Sequence, residues 1–183
     1  MAALAAAPAL AARAVPDAIP RSAWPKVGNA VGTSGGGKAL PRYLHAAVGL
    51  PDGRMVVMGG YRVSAATRSR SVSAPTASVQ LYDPSSNTWT DLAPMRIGRA
   101  RHAAVLLADG RIAVLGGIYS TNMSSIEVYD PTANAWSSGG ALPYPMVDLS
   151  ATLSPSGIVV SGGQNGAPAF LVSLPPAHAG IQP

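Results

Sequence analysis

The chain has 183 residues and no cysteine, is 48% hydrophobic and 11% charged, and carries a net charge of +5 from 13 Lys+Arg against 8 Asp+Glu. That composition excludes disulfides, thiolate metal sites and cysteine nucleophiles, and a lone glutamate, Glu127, excludes a Glu–Glu hydrolytic pair. The mild cationic excess favours acidic partners without requiring nucleic acid, and the first apolar run stops at Arg13, short of the about 20 residues that cross a bilayer.

Residues 1–41 read as an Ala/Pro/Gly-rich tail and linker. A secretory signal wants its positive charge before the apolar core, and here Arg13 follows it. The compartment therefore stays open: the lean is cytoplasmic, and secreted if the segment is a truncated signal. Residues 21–25, around Trp24, are expected to form an outer strand of a preceding or closing blade. Residues 32–38, GTSGGGK, fit the start of a phosphate-binding loop. Ala39 stands where the magnesium-ligating hydroxyl belongs and Pro41 follows, so a flexible linker is the expectation.

From residue 42 the chain repeats itself. Residues 45–60, HAAVGLPDGRMVVMGG, return as 102–117, HAAVLLADGRIAVLGG, identical at 11 of 16 positions. Asp-Gly between two apolar runs predicts a tight hairpin, because its turn needs positive φ, which glycine adopts without a Cβ clash. Residues 78–84, SVQLYDP, followed by Asn87 and Trp89, return as 125–131, SIEVYDP, followed by Asn134 and Trp136. This pattern predicts strand, Asx-Pro turn, strand. Two hairpins per repeat of about 45–50 residues predict four-stranded antiparallel units.

The first unit covers 42–92, with strands near 44–50, 54–59, 77–82 and 87–91. It carries a Ser/Arg-rich insertion over 61–71. The second covers 99–139, with strands near 101–107, 111–116, 125–129 and 134–137. A glycosylation sequon, Asn122-Met123-Ser124, lies in its turn and matters only if the chain is secreted in a eukaryote. The third, 146–176, is incomplete: Gly162-Gly163 survives, Ser156-Gly157 replaces Asp-Gly, and no outer-strand Trp follows. Residues 177–183 form a tail. A unit that cannot bury both faces needs neighbours, so the chain is expected to be a fragment of a longer propeller. Self-association through exposed blade edges is the alternative.

The order Arg42/His45, Asp52-Gly53-Arg54, Gly59-Gly60, Tyr82-Asp83-Pro84, Trp89 closely resembles the kelch motif. It returns as Arg99/His102, Asp109-Gly110-Arg111, Gly116-Gly117, Tyr129-Asp130-Pro131, Trp136. The resemblance spans roughly 42–176 and implies an all-β, partial kelch-type propeller. It does not imply one function, because kelch proteins include actin binders, ubiquitin-ligase adaptors, sugar oxidases and mutarotases. The oxidases use a Tyr–Cys copper cofactor, which a chain without cysteine cannot form.

Residues demanded once per repeat are expected to be structural: His45 and His102 buried on strands, Trp89 and Trp136 in blade packing, the Asp residues in turns. No catalytic residue, metal site or cofactor is expected. The repeat does not demand Arg62, Arg68, Arg70, Arg96 and Arg101. Strand alternation sends the connections that carry them to one side of the sheets, with the Asp52, Asp83, Asp109 and Asp130 turns opposite. Arginine forks bind carboxylate or phosphate, so these five are the candidate binding residues for a protein partner of acidic character. Nucleic acid and membrane are not expected partners. The expected function is a non-catalytic protein–protein interaction scaffold. The alternatives are a piece of a carbohydrate-active propeller enzyme, mutarotase-like or oxidase-like, or an extracellular glycan-binding module.

Overall fold

The computed structural model describes residues 40–62, 74–164 and 166–174. The expected outer strand at 21–25, the loop over 32–38 and most of the Ser/Arg-rich insertion lie outside them. Among the described residues there are thirteen strands and no helix. The first blade is β2 (Ala46–Gly49), β3 (Met55–Met58), β5 (Val79–Asp83) and β6 (Thr88–Leu92), hydrogen-bonded in that order. The second is β7 (Ala103–Leu106), β8 (Ile112–Leu115), β9 (Ser125–Asp130) and β10 (Ala135–Ala141). The third has three described strands, β11 (Leu149–Ser154), β12 (Gly157–Gly162) and β13 (Phe170–Val172). All pairings are antiparallel. β10 runs past the expected strand because a bulge between Ser138 and Gly140 lets it continue to Ala141. One element was not expected: β1 (Arg42–Tyr43) pairs with β4 (Tyr61–Arg62), and Tyr43 stacks on Tyr61 with centroids 5.2 Å apart.

Side chains alternate across each strand, so each blade presents one apolar face to each neighbour. Val48, Val56, Met58, Val79 and Leu81 of the first blade pack against Ile112, Val114 and Tyr129 of the second. The other face of the second blade, with Ala113, Leu115, Ile126 and Val128, packs against Leu149, Ile158, Val160 and Val172 of the third. Burying an aliphatic side chain contributes about 1.5–3 kcal/mol, so the joints between blades hold the array together.

Each motif residue has a place in those joints. The first glycine of each pair lies where the next blade closes in. A Cβ on Gly59 would sit 2.4 Å from the Arg99 carbonyl oxygen and 2.5 Å from His102 Cε1; one on Gly116 would sit 2.6 Å from the Met146 oxygen. Both have positive φ, 66° and 60°, so a side chain there is excluded by conformation and by space. The amide of the second glycine then stitches the blades: Gly60 N–H donates to the Arg99 carbonyl and Gly117 N–H to that of Met146, each at 2.8 Å.

Arg99 is fully buried. Its Nη1 donates to the carbonyls of Gly116 (2.9 Å) and Ser125 (3.1 Å), and its Nη2 pairs with Glu127. Glu127 also accepts the backbone amides of Arg96 (2.7 Å) and Ile97 (3.3 Å), which fixes the connection entering the second blade. Arg42 does the same in the first blade with the carbonyls of Gly59 and Ser78, both at 3.0 Å, and with Gln80 at 3.1 Å. At the outer edge the Trp136 indole N–H donates to the Ala93 carbonyl (2.8 Å). Asn134, held at φ 48°, accepts the Ala93 amide (3.0 Å) and the Tyr129 hydroxyl (2.7 Å).

The histidine expectation needs correction. His45 and His102 each lie one residue before their strand. His102 is buried against Gly59, but His45 is exposed. The imidazole packs into the joint with the preceding blade, and no preceding blade stands against His45 among the described residues.

Candidate functional site

The connections from second to third strand and from outer strand to the next blade emerge on one side of the sheets. Arg62 lies on β4, exposed. Arg96 lies in the 93–102 connection, exposed, with its backbone amide tied to Glu127. Arg101 closes the same connection at φ 57°. Arg68 and Arg70 lie outside the described residues. These connections interlock. The Arg99 amide donates to the Thr76 carbonyl at 3.3 Å, Thr76 N–H donates to Gly60 at 2.8 Å, and Gly98 leaves no room for a side chain beside the Pro75 carbonyl.

The expected sorting of charge by side is incomplete. Asp148 stands on the arginine side, where Arg101 Nε donates to it at 2.8 Å and Nη2 completes a two-pronged pair. The cause is register: Leu44, Arg101 and Asp148 hold the same position in successive repeats, each with positive φ (54°, 57°, 56°). The Arg101 amide donates to the Leu44 carbonyl at 2.9 Å and the Asp148 amide to the Arg101 carbonyl at 3.0 Å. This ladder crosses both joints where the innermost strands start. The hydrogen bonds from Arg101 hold the Asp148 carboxyl below the usual carboxylate range, and Asp148 raises the guanidinium. On the far side the acids are held within their own turns: Asp52 pairs with Arg54 and Asp109 with Arg111, while Asp83 and Asp130 accept the Ser85 and Thr132 amides.

The arginine side also exposes apolar surface. Leu44, Ile97 and Tyr119 are between 43% and 49% exposed, all in connections of this side. Sequence reasoning missed them; the available signal was a large apolar residue inside a connection, such as Ile97 between Arg96 and Gly98, where no strand can bury it. It also missed that the motif arginines Arg42 and Arg99 turn inward. The carbonyls, the Gln80 amide and the Glu127 carboxylate that receive them lie 17 to 38 residues further along the chain.

His102 and Glu127, near this face, are both buried. Burial, reinforced by the nearby Arg99 and His45, pushes His102 down to about 3. Its ring nitrogens have no hydrogen-bond partner among the described residues. Glu127 is taken up by Arg99 and two amides.

Antiparallel blades stitched by Arg–carbonyl bonds, glycine pairs and the Trp136–backbone clamp define a propeller arc. The family model described as the Kelch motif matches residues 42–96 and 99–143, and the chain belongs to the kelch-repeat family. It is 31% identical over 131 residues to Kelch repeat and BTB domain-containing protein 12 of Danio rerio, covering 66% of this chain and 20% of that one. It is 39% identical over 67 residues to Kelch-like protein 15 of Homo sapiens, covering 37% of this chain and 11% of that one. The chain thus spans a fifth or less of the length of these relatives. Among solved structures, that of YjhT superposes with a TM-score of 0.56 at 18% identity, covering 66% of this chain and 44% of that one. A fungal alcohol oxidase of the AA5 family in complex with copper gives 0.54 at 19% identity, covering 67% and 27%. Both likenesses are of fold.

Proposed function

We propose that this chain is a non-catalytic protein-interaction scaffold, and that the side formed by β4 and the 93–102 and 116–124 connections binds an acidic segment of its partner. The observation that carries the reading is exposed Leu44, Ile97 and Tyr119 on the same side as Arg62 and Arg96. Apolar anchors beside cations suit a peptide with acidic and apolar side chains. Rigid backing by the interlocked connections limits the ordering cost of binding. The non-catalytic reading is supported by Glu127, Asp148 and His102 being paired or buried instead of facing an open site. The kelch relatives, one of them named as carrying a BTB domain, favour a partner-binding role.

The test is a peptide array of acidic, basic and neutral sequences probed with the full chain and with the Arg62→Ala/Arg96→Ala variant. The reading predicts a preference for acidic peptides, weakened several-fold in the variant and by raised salt. Equal binding to basic peptides, or acidic binding indifferent to both changes, contradicts it.

A further inference from the structure

The ion pairs among the described residues differ in what they leave open. Arg99–Glu127 is sealed inside the second blade, while Arg54–Asp52 and Arg111–Asp109 close within their own Asp-Gly turns on the far side. Arg101–Asp148 is unlike these. It joins two repeats, stands on the arginine side and leaves both side chains in water, 30% and 42% exposed. The Asp148 carboxylate accepts from Arg101 Nε at 2.8 Å and from Nη2, and Gln164 Nε2 donates to it at 3.3 Å.

The backbone here does not require that pair. The Arg101 amide reaches the Leu44 carbonyl at 2.9 Å, a step made with no charge at Leu44, and the Asp148 amide reaches the Arg101 carbonyl at 3.0 Å in the same way. The two side chains are therefore free to part while the ladder holds. Exposed ion pairs are weak, because water and salt screen them, so a carboxylate brought by a partner can displace Asp148 from the fork. Arg101 also adjoins the surface that meets the partner. Leu44, an exposed apolar residue, is the rung beside it, and Tyr43, which precedes Leu44, pairs with Tyr61 next to exposed Arg62.

We propose that Asp148 is a built-in competitor for the acidic partner: it fills the Arg101 fork that a partner carboxylate would otherwise take, and so sets how tightly this side binds. The inference deepens the acidic-partner reading of this side and rests on it. In the wild type a partner carboxylate that takes Arg101 replaces an existing pair, so Arg101 adds little net affinity. Only molecules with the fork open offer it to the ligand, which lowers the apparent affinity by that fraction. Without the Asp148 carboxylate the guanidinium, already shaped for two-pronged binding, becomes a full contributor.

Asp148 has φ 56°, which asparagine and glycine both accept. Asp148→Asn and Asp148→Gly thus remove the charge and keep the backbone, which circular dichroism checks. Fluorescence anisotropy with a labelled acidic peptide compares the wild-type full chain, both variants, and each combined with Arg101→Asn. Both variants should bind the peptide about two- to fivefold tighter than the wild type. The gain should shrink at raised salt and vanish when Arg101→Asn is also present. Unchanged or weaker binding by both variants makes Asp148 a joint residue only and overturns the proposal. A gain that survives Arg101→Asn means that the charge acts at a distance and not through the fork, and overturns it as well. If the wild type and both variants show no preference for acidic peptides, the acidic-partner reading itself fails, and this inference with it.

Discussion

Arg99 and Glu127 form the most deeply buried ion pair among the described residues, with side-chain exposures of 0% and 5%. Removing one partner leaves the other charge without compensation, and such breaks cost about 3–5 kcal/mol. Glu127→Ala also strands the Arg96 and Ile97 amides. The third blade shows what an apolar replacement looks like: Met146 stands at the Arg99 position, and Phe170, opposite Val160 as Glu127 is opposite Val114, stands at the Glu127 position. Urea denaturation of Arg99→Met, Glu127→Phe and the pair should therefore show a double variant far less destabilised than the sum of the singles. Additive losses would mean that the two side chains act independently.

His102 makes a prediction about acid. Its folded pKa of about 3 lies below its ordinary 6.5, so the unfolded chain binds the proton more readily. The stability it permits is complete above about pH 6.5 and declines as pH falls toward about 3, by about 1.4 kcal/mol per unit. Urea midpoints across that window should fall in the wild type and flatten in His102→Gln. Asp148, held low by Arg101, starts to lose its contribution only below its ordinary value of 3.8, so above that pH the decline from His102 is free of it.

At the scale of the element, the clamp between blades one and two rests on Asn134 and Trp136 gripping Ala93. Trp136→Phe removes the indole N–H while keeping the ring beside Tyr129, and should cost about 0.5–1.5 kcal/mol, with faster amide exchange at Ala93. Unchanged exchange would place the hold between blades elsewhere. These elements were largely legible in the sequence, because strand periodicity, Asp-Gly turns and glycine pairs are local. Gly59 and Gly116 end their strands as expected. What was not legible depends on chain neighbours far apart. The β1–β4 pairing joins Arg42–Tyr43 to Tyr61–Arg62 across the first hairpin, and the exposure of His45 follows from which blade stands beside it. The Arg101–Asp148 pair joins repeats two and three, where a reading of each repeat alone sees a free cation.

For the whole molecule, the repeated joints account for the arc and also for its unequal flanks. Inter-blade faces are apolar where a neighbour stands. On the far side of the third blade, Ser150, Thr152 and Ser161 accompany Val159 and Leu171, giving a mixed surface. The side bearing Arg62 and Arg96 combines loops with a stiff backing, the usual arrangement for recognition on a repeat scaffold. Five candidate arginines were proposed from sequence. Of the three described, Arg62 and Arg96 are exposed, while Arg101 is committed to Asp148. Replacing Arg101 should therefore loosen the second joint more than it weakens binding. Arg101→Ala should lower the thermal midpoint by a few degrees, with a peptide dissociation constant changed less than that of Arg62→Ala/Arg96→Ala.

The proposed partner-binding side is the one bearing Arg62 and Arg96, and not the side of the Asp-Gly turns. Hydrogen–deuterium exchange of the full chain, with and without an acidic peptide selected on the array, tests it most directly. The prediction is slowed exchange over 59–62, 93–102 and 116–124, with 50–54, 84–87 and 107–111 unchanged. Protection confined to the three turn segments, with the connections unaffected, would contradict it.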